Sequence, residues 1–323
     1  MEETQHPSST TFIPPSVDHS TLLTGASSTH FSPVPPSLLA SEHDSNASSP
    51  PCCLGVDEAG RGPVLGPMVY GVFYLPLPLS DPLLRETHHF DDSKVLTPAV
   101  RSSLMKTLCT PGSDLHSSCG WATTSLSARD IGANMLRPSP YNLNAQAMDT
   151  TIELIRGVFD RGVNIQEIYV DTIGQPATYQ AKLERVFPTT KITVAKKADS
   201  LYACVSAASV CAKVTRDAAL EQLYLARGIS SASGDADWGS GYPSDARCVN
   251  WMKRNMHPVF GWGPECRFSW GTAKDMLDGK AGAVKVDWPV EEDESMRLTD
   301  YFGGGEQDEL GGWYGSSVGV DVF

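Results

Sequence analysis

Two short apolar, β-branched runs, "CCLGVDEAG" and "GPMVYGVFYLP", flank a Gly/Pro turn, a pattern that predicts two adjacent strands near the start of a sheet. "SCGWATTSLS" reads as a third strand. From Ala145 to Arg161 the apolar positions Met148, Ile152, Ile155 and Phe159 fall at spacings of four, three and four, which is one face of a helix. "EIYVDTIG" returns to strand, with Asp171 at its carboxyl end. A short helix from about Pro176 to Phe187 follows, with proline suited to a first turn, and "KITVAKKADS" is a further strand. The run from Leu201 to about Ala226 predicts a long helix whose small residues Ala208, Ala212 and Ala219 suit close packing on a sheet. Strands first, then strand–helix alternation, imply an α/β domain: a mixed β-sheet flanked by helices.

The two ends of the chain break this pattern. Residues 1–50 hold 18 Ser or Thr, seven Pro, five acidic residues and no Lys or Arg, which predicts a disordered leader. Missing basic residues argue against an amphipathic transit peptide, and no apolar run is long enough for a secretory segment or a membrane span. The expectation is a soluble intracellular protein with no membrane contact. Residues 287–323 carry ten acidic residues against one Arg in a Gly-rich context and predict a flexible acidic tail. The folded domain is therefore expected over 51–286. Of the net charge of −13, the two ends account for −14 and the domain is left at +1, so a local basic groove for an anionic ligand is compatible with the composition. The eight cysteines show no C-x-x-C pair and no His partner at zinc spacing, so they read as reduced, buried thiols.

Three separate strand ends deliver acids: Asp57 with Glu58, Asp171, and Asp199. Ligand crevices form at the strand ends of open α/β sheets. Each acid has a plainer use: Asp171 before "TIG" suits a turn, and Asp199 before "SLY" suits a helix N-cap. Asp57 and Glu58 are neighbours that a strand would point to opposite faces, so both reach one site only if the strand ends there, as Gly60-Arg61-Gly62 allows. Four crowded carboxylates repel one another unless cations neutralise them. With no His or Cys nearby, oxygen ligands favour Mg²⁺ or Mn²⁺, and two such ions promote phosphodiester cleavage. The loop fits neither a P-loop nor the dinucleotide-binding spacing.

The ordered blocks "VDEAGRGPVLGPMVYG", "DDSKVLTP", "YNLN", "YVDTIGQPATYQAKL", "KKADSLYACVSAASVCAKVTRD", "GSGYPSD" and "HPVFGWGPECRFSWGTA" span nearly all of residues 54–274. They resemble the type 2 ribonucleases H, and within them the catalytic A subunits of the eukaryotic heterotrimeric enzymes. The resemblance implies a ribonuclease H-like fold with a helical C-terminal extension. It implies hydrolysis of RNA in RNA·DNA hybrids and incision 5′ of single ribonucleotides in duplex DNA, leaving 3′-hydroxyl and 5′-phosphate ends. It maps the metal-binding acids onto Asp57, Glu58, Asp171 and Asp199. Gly60, Arg61 and Gly62 would read the ribose 2′-hydroxyl, so that a side chain at Gly60 is expected to block the approach. Tyr242 of "SGY" would stack on the sugar at the RNA-to-DNA junction; a tyrosine before Pro243 also suits a loop cap. Lys94 and Asn142 would contact phosphate and strand, or serve as ordinary surface and turn residues. The resemblance further implies two accessory subunits, B and C, and work in the nucleus. The sequence departs from the family's "KADxLYP" at Ala203, where the proline's rigid φ is missing.

The tail holds one isolated apolar cluster, "SMRLTDYF", with Leu298, Tyr301 and Phe302 at i, i+3 and i+4. It is similar to the sliding-clamp-binding box of replication proteins, with Ser295 where glutamine is usual. Docking on the protein's own core or on one of the accessory subunits is the competing use.

Overall fold

The computed structural model describes residues 12–40, 49–90, 95–172, 174–227, 238–279 and two paired dipeptides, 286–287 and 316–317. In chain order the main elements are α1 (His19–Leu23), β1 (Ser28–Phe31), β2 (Cys52–Ala59), β3 (Met68–Pro76), α2 (Pro98–Leu108), α3 (Asp114–Ser118), β4 (Gly120–Leu126) and α4 (Ala128–Met135). They continue with α5 (Leu143–Phe159), β5 (Ile165–Asp171), α6 (Pro176–Val186), β6 (Lys191–Ala195), α7 (Ala198–Leu201), α8 (Ala203–Ala226), α9 (Ala246–Arg254) and α10 (Gly271–Gly279). The strands form one mixed six-stranded sheet in the order β1-β4-β3-β2-β5-β6. β2 pairs antiparallel with β3 and parallel with β5, so the sheet changes from antiparallel to parallel at its centre.

The period of two along each strand sorts side chains to two helical layers. Leu54, Val56, Tyr70 and Val72 pack with Leu154, Ile155 and Val158 of α5 and Leu183 of α6. Cys53, Phe73 and Leu75 face the other way, onto α2 and the small residues of α8. The predicted small-residue stripe has a direct consequence. A Cβ on Gly55 would lie 2.3 Å from the Cys204 backbone and one on Gly71 2.7 Å from the Ala208 carbonyl oxygen, so α8 rests on bare backbone of β2 and β3. A third cluster joins the end of α8 to α9 and α10 through Leu220, Tyr224, Trp238 and Trp251, forming the helical C-terminal extension.

The expected disordered leader needs correction over residues 12–40. β1 pairs antiparallel with β4, closing that sheet edge, and Leu38 is fully buried against the main core with Phe31 and Val34 beside it. Ser16 shares a buried hydrogen bond of 2.7 Å with Thr215 of α8, and the Arg161 guanidinium lies 3.6 Å from the Phe31 ring centre. The composition argument holds for a segment that must bury its own core. This one borrows a core already built, so a few apolar residues between prolines suffice. Among the described residues no helix is long and apolar enough to cross a membrane. The clamp-like cluster and most of the acidic tail lie outside the described residues.

Candidate active site

The acids come from three element ends that the sheet brings side by side. Ladder pairing between β2 and β5 stops at Val56 opposite Val170, so Asp57 and Asp171 follow as the next residues of the two parallel strands. The expectation that β2 ends at its acids is not met: Asp57 pairs with Gly71 and Glu58 with Tyr70, and the strand runs to Ala59. The two acids therefore point to opposite faces. Asp57, buried, faces α8, where the Ser209 hydroxyl bonds it and Lys213 donates to Ser209 at 2.7 Å. Glu58 faces an open cleft of about 500 Å³ lined also by Arg61, Tyr70, Asn144, Asp171, Tyr179 and Lys182.

Asp171 accepts from the Ala198 N–H at 2.9 Å and so holds the first turn of α7 at the end of β5. Asp199, buried, is the second residue of that turn. It is not the N-cap: Lys197 takes that position in the left-handed region, φ 57°. Asp57, Glu58 and Asp171 thus meet at one sheet seam, with Asp199 in the turn that Asp171 holds, but their oxygens are not drawn into a tight cage. Among the described residues no three His, Cys, Asp or Glu side chains stand at metal-ligand spacing. Asp57 instead accepts its neighbour Glu58 N–H at 2.7 Å.

The charges are poorly compensated. Burial pushes Asp57 up to about 7, with Asp171 adding repulsion and Ser209 and Lys213 opposing it. Burial pushes Glu58 up to about 8, reinforced by Asp57 and opposed by Arg61. Tyr70 and Tyr179 on the cleft wall are pushed up by burial as well. One buried and one half-buried carboxylate held reluctant to ionise, with oxygen the only donor type, suit hard divalent cations.

The Gly60–Gly62 loop follows directly. Gly60 has φ +78°, and a Cβ there would meet Arg216 Nε at 2.6 Å and the Pro67 carbonyl oxygen at 2.8 Å. The glycine is demanded by the protein's own packing, a different reason from the expected approach of a ligand. Arg61 reaches Asn144 and, at 3.5 Å, the Tyr70 hydroxyl. Tyr242 stands against Gly62, whose added Cβ would lie 3.2 Å from its ring, and beneath Arg216 at 5.9 Å. It is 39% exposed and lies outside the cleft lining. Asn142 caps α5 by accepting the N–H groups of Asn144 and Ala145, both at 3.0 Å, so its side-chain oxygen is structural and Asn144, two residues on, is the one at the cleft. Lys94 lies outside the described residues.

Sequence reasoning missed the cleft wall of Tyr70, Asn144, Tyr179 and Lys182, and the buried pair Arg216 and Arg267. An Arg in an apolar stretch such as "ECRFSW" is the kind of signal that finds the latter, since a buried cation must have bound partners.

Residues 54–273 match the family model described as Ribonuclease HII. A Neurospora crassa protein, named as the A subunit of ribonuclease H2, is 63% identical over 322 residues, covering 97% of each chain. The human protein of that name is 44% identical over 254 residues, 78% of this chain and 82% of that one. Among solved structures, the ribonuclease H2 from Pyrococcus horikoshii OT3 superposes with a TM-score of 0.57 at 30% identity, covering 70% of this chain and 97% of that one. The Archaeoglobus fulgidus protein solved as a PCNA:RNase HII complex gives a TM-score of 0.56 at 25% identity, with coverage of 69% and 96%.

Proposed function

The chain belongs to the ribonuclease HII family, and from that premise we propose that it incises duplex DNA on the 5′ side of an embedded ribonucleotide as well as cleaving RNA in RNA·DNA hybrids. It is a ribonuclease H, an endoribonuclease. The products would be 3′-hydroxyl and 5′-phosphate ends, which suits ribonucleotide removal and primer processing during replication. The observation that carries this reading is the meeting of Asp57, Glu58 and Asp171 at one sheet seam beside the Gly60–Gly62 loop, with Asp199 in the turn bonded to Asp171.

Those four acids would hold the divalent cations, Mg²⁺ with Mn²⁺ as its substitute. Bound there, the ions activate water and stabilise the leaving oxygen. The chain's own residues supply position and selectivity. Glu58 and Asp171 face the cleft that would receive the scissile strand, while Asp57 and Asp199 are buried. Arg61, Asn144 and Lys182 offer polar groups to the nucleic-acid backbone along the cleft wall. Backbone groups of Gly60, Arg61 and Gly62 would read the 2′-hydroxyl, and Tyr242 would stack on the junction sugar. Lys94 is assigned to phosphate on the resemblance alone.

The relatives share a name that makes each of them the A subunit of a larger enzyme, which supports assembly with accessory subunits; that these are two, B and C, and that the work is in the nucleus rest on the family resemblance. The archaeal relative solved with PCNA supports a clamp contact in general; that it would run here through Leu298, Tyr301 and Phe302 rests on the sequence pattern alone, with docking on the protein's own core or an accessory subunit as the competing use. The test is an incision assay on duplex DNA carrying one ribonucleotide, with the full chain co-expressed with its accessory subunits. Wild type should cut in Mg²⁺ and not in chelator, and Asp171→Asn should fold yet not cut. Wild-type rates in Asp171→Asn would refute the assignment of the acids.

A further inference from the structure

The loop that precedes the cleft is held from behind by two residues far along the chain. Arg267 is fully buried, and its guanidinium donates from Nη2 to the Gly60 carbonyl at 2.7 Å, from Nη1 to the Arg61 carbonyl at 3.0 Å and from Nε to the Gly66 carbonyl at 3.0 Å. The Trp270 indole donates to the Gly62 carbonyl at 3.0 Å, and the Arg267 N–H donates to the Val64 carbonyl at 2.9 Å. Five carbonyls between residues 60 and 66 are thus taken by Arg267 and Trp270. The guanidinium fork fits this task, because it aims several donors in one plane, where an ammonium is a single point. No carboxylate pairs with Arg267 among the described residues; carbonyl oxygens and the face of the Trp270 ring, 4.8 Å from the guanidinium carbon, hold its charge.

The consequence falls on the other side of the loop. In a trans peptide the N–H of one residue points opposite to the carbonyl of the residue before it, and the described chain has no cis bonds. Fixing the carbonyls of Gly60 and Arg61 inward therefore turns the N–H groups of Arg61 and Gly62 outward. Pro63 has none to offer. The Val64, Leu65 and Gly66 N–H groups are used internally, on Gly241 and Glu265. The Arg61 and Gly62 N–H groups donate to no described residue, and Gly62 is exposed.

We propose that Arg267 and Trp270 are positioning residues for ribose recognition: they lock the loop backbone so that the Arg61 and Gly62 N–H groups form a fixed donor pair for a substrate hydroxyl. This rests on the reading of the Gly60–Gly62 loop as the 2′-hydroxyl sensor. It adds that selectivity is set by a buried clamp that touches no substrate.

The test measures a ratio, which loss of folded protein does not change. The full chain with its accessory subunits is titrated in chelator against an RNA·DNA hybrid and against an all-DNA duplex of the same sequence, and the ratio of the two dissociation constants is taken. Arg267→Gln should lower the wild-type preference for the hybrid by about tenfold, the scale of one well-placed hydrogen bond. Trp270→Phe keeps an aromatic face toward Arg267, removes one donor and should lower it by about threefold. Affinity for all-DNA duplex should stay at the wild-type value in both. Should Arg267→Gln fail to fold, Trp270→Phe decides alone. A wild-type ratio in the folded variants overturns the inference, leaving Arg267 and Trp270 as packing residues. A wild-type protein with no preference for the hybrid overturns the reading of the sensor loop itself, and the clamp's role with it.

Discussion

Replacing Asp57 with Asn should make the metal-free protein more stable while removing its activity. Asp57 is buried beneath α8, faced by Ser209 and Lys213, with Glu58 next to it and Asp171 across the strand seam. Its pKa rises from 3.8 to about 7, chiefly through burial. A carboxyl with a raised folded-state pKa binds more protons folded than unfolded between those two values. Its cost is absent below about pH 4, grows as pH rises, and is complete above about pH 7. At about 1.4 kcal/mol per pH unit, the full cost is about 4 kcal/mol. Asparagine keeps an oxygen for the Glu58 N–H and removes the charge, which also relaxes Glu58. A net gain of about 2–4 kcal/mol at pH 8 is expected, with almost none at pH 4. For a domain of this size that is roughly 5–15 °C in melting temperature. Thermal unfolding of wild type and Asp57→Asn in chelator at both pH values measures it, and added Mg²⁺ should stabilise wild type and not the variant. Equal or lower stability of Asp57→Asn at pH 8 in chelator would refute the claim that the acids are held in mutual conflict until a cation arrives.

Other substitutions probe the scaffold and the sensor. Ala203 is the first residue of α8, and Tyr202 before it is extended at φ −123°, ψ 119°, so Ala203→Pro should stabilise by about 0.4–1 kcal/mol in denaturant titration. Leu38→Ala should destabilise by about 2–5 kcal/mol, as expected for a core residue and not for a residue of a loose leader. Gly60→Ala should abolish incision and lower stability, because both its φ of +78° and the Arg216 side chain oppose a Cβ, whereas Gly62→Ala asks only a small shift of Tyr242 and should keep most of the fold. Tyr242→Phe or Tyr242→Ala should slow incision at single ribonucleotides more than cleavage of long hybrids, read from parallel kcat/KM measurements.

Periodicity makes most of the sheet and its helices legible, because alternation and helical spacing are properties of short stretches. α5 and α6 begin and end close to where the apolar spacing and Pro176 put them. The leader is illegible for the opposite reason. Its twelve serines and seven prolines cannot form a core of their own, and nothing within residues 1–50 reveals that β4 offers an open edge and α8 a partner for Ser16. The acids are legible as residues but not in orientation. Asp57 and Glu58 point to opposite faces, a fact set by the length of the ladder with β3. The block "YNLN" cannot separate Asn142 from Asn144, because helix capping and cleft lining differ only by which way a two-residue step turns.

The division between the two faces of β2 sets how two adjacent acids reach the seam from opposite sides. β2 stays paired with β3 through Ala59, but it has no partner in β5 beyond Val56, so on that side the sheet opens into a notch between two strand ends. Glu58 enters the notch from the cleft face, and Asp57 from the α8 face. α8 can lie near enough to bury Asp57 only because Gly55, two residues before it, and Gly71, opposite it in the ladder, carry no side chains. That same closeness strips water from the carboxylate and raises its pKa. The packing that positions the acid is therefore also what makes it reluctant to ionise unaided, so on the proposed metal reading cation affinity would depend on the close approach of α8, and a Cβ at Gly71 should weaken both together.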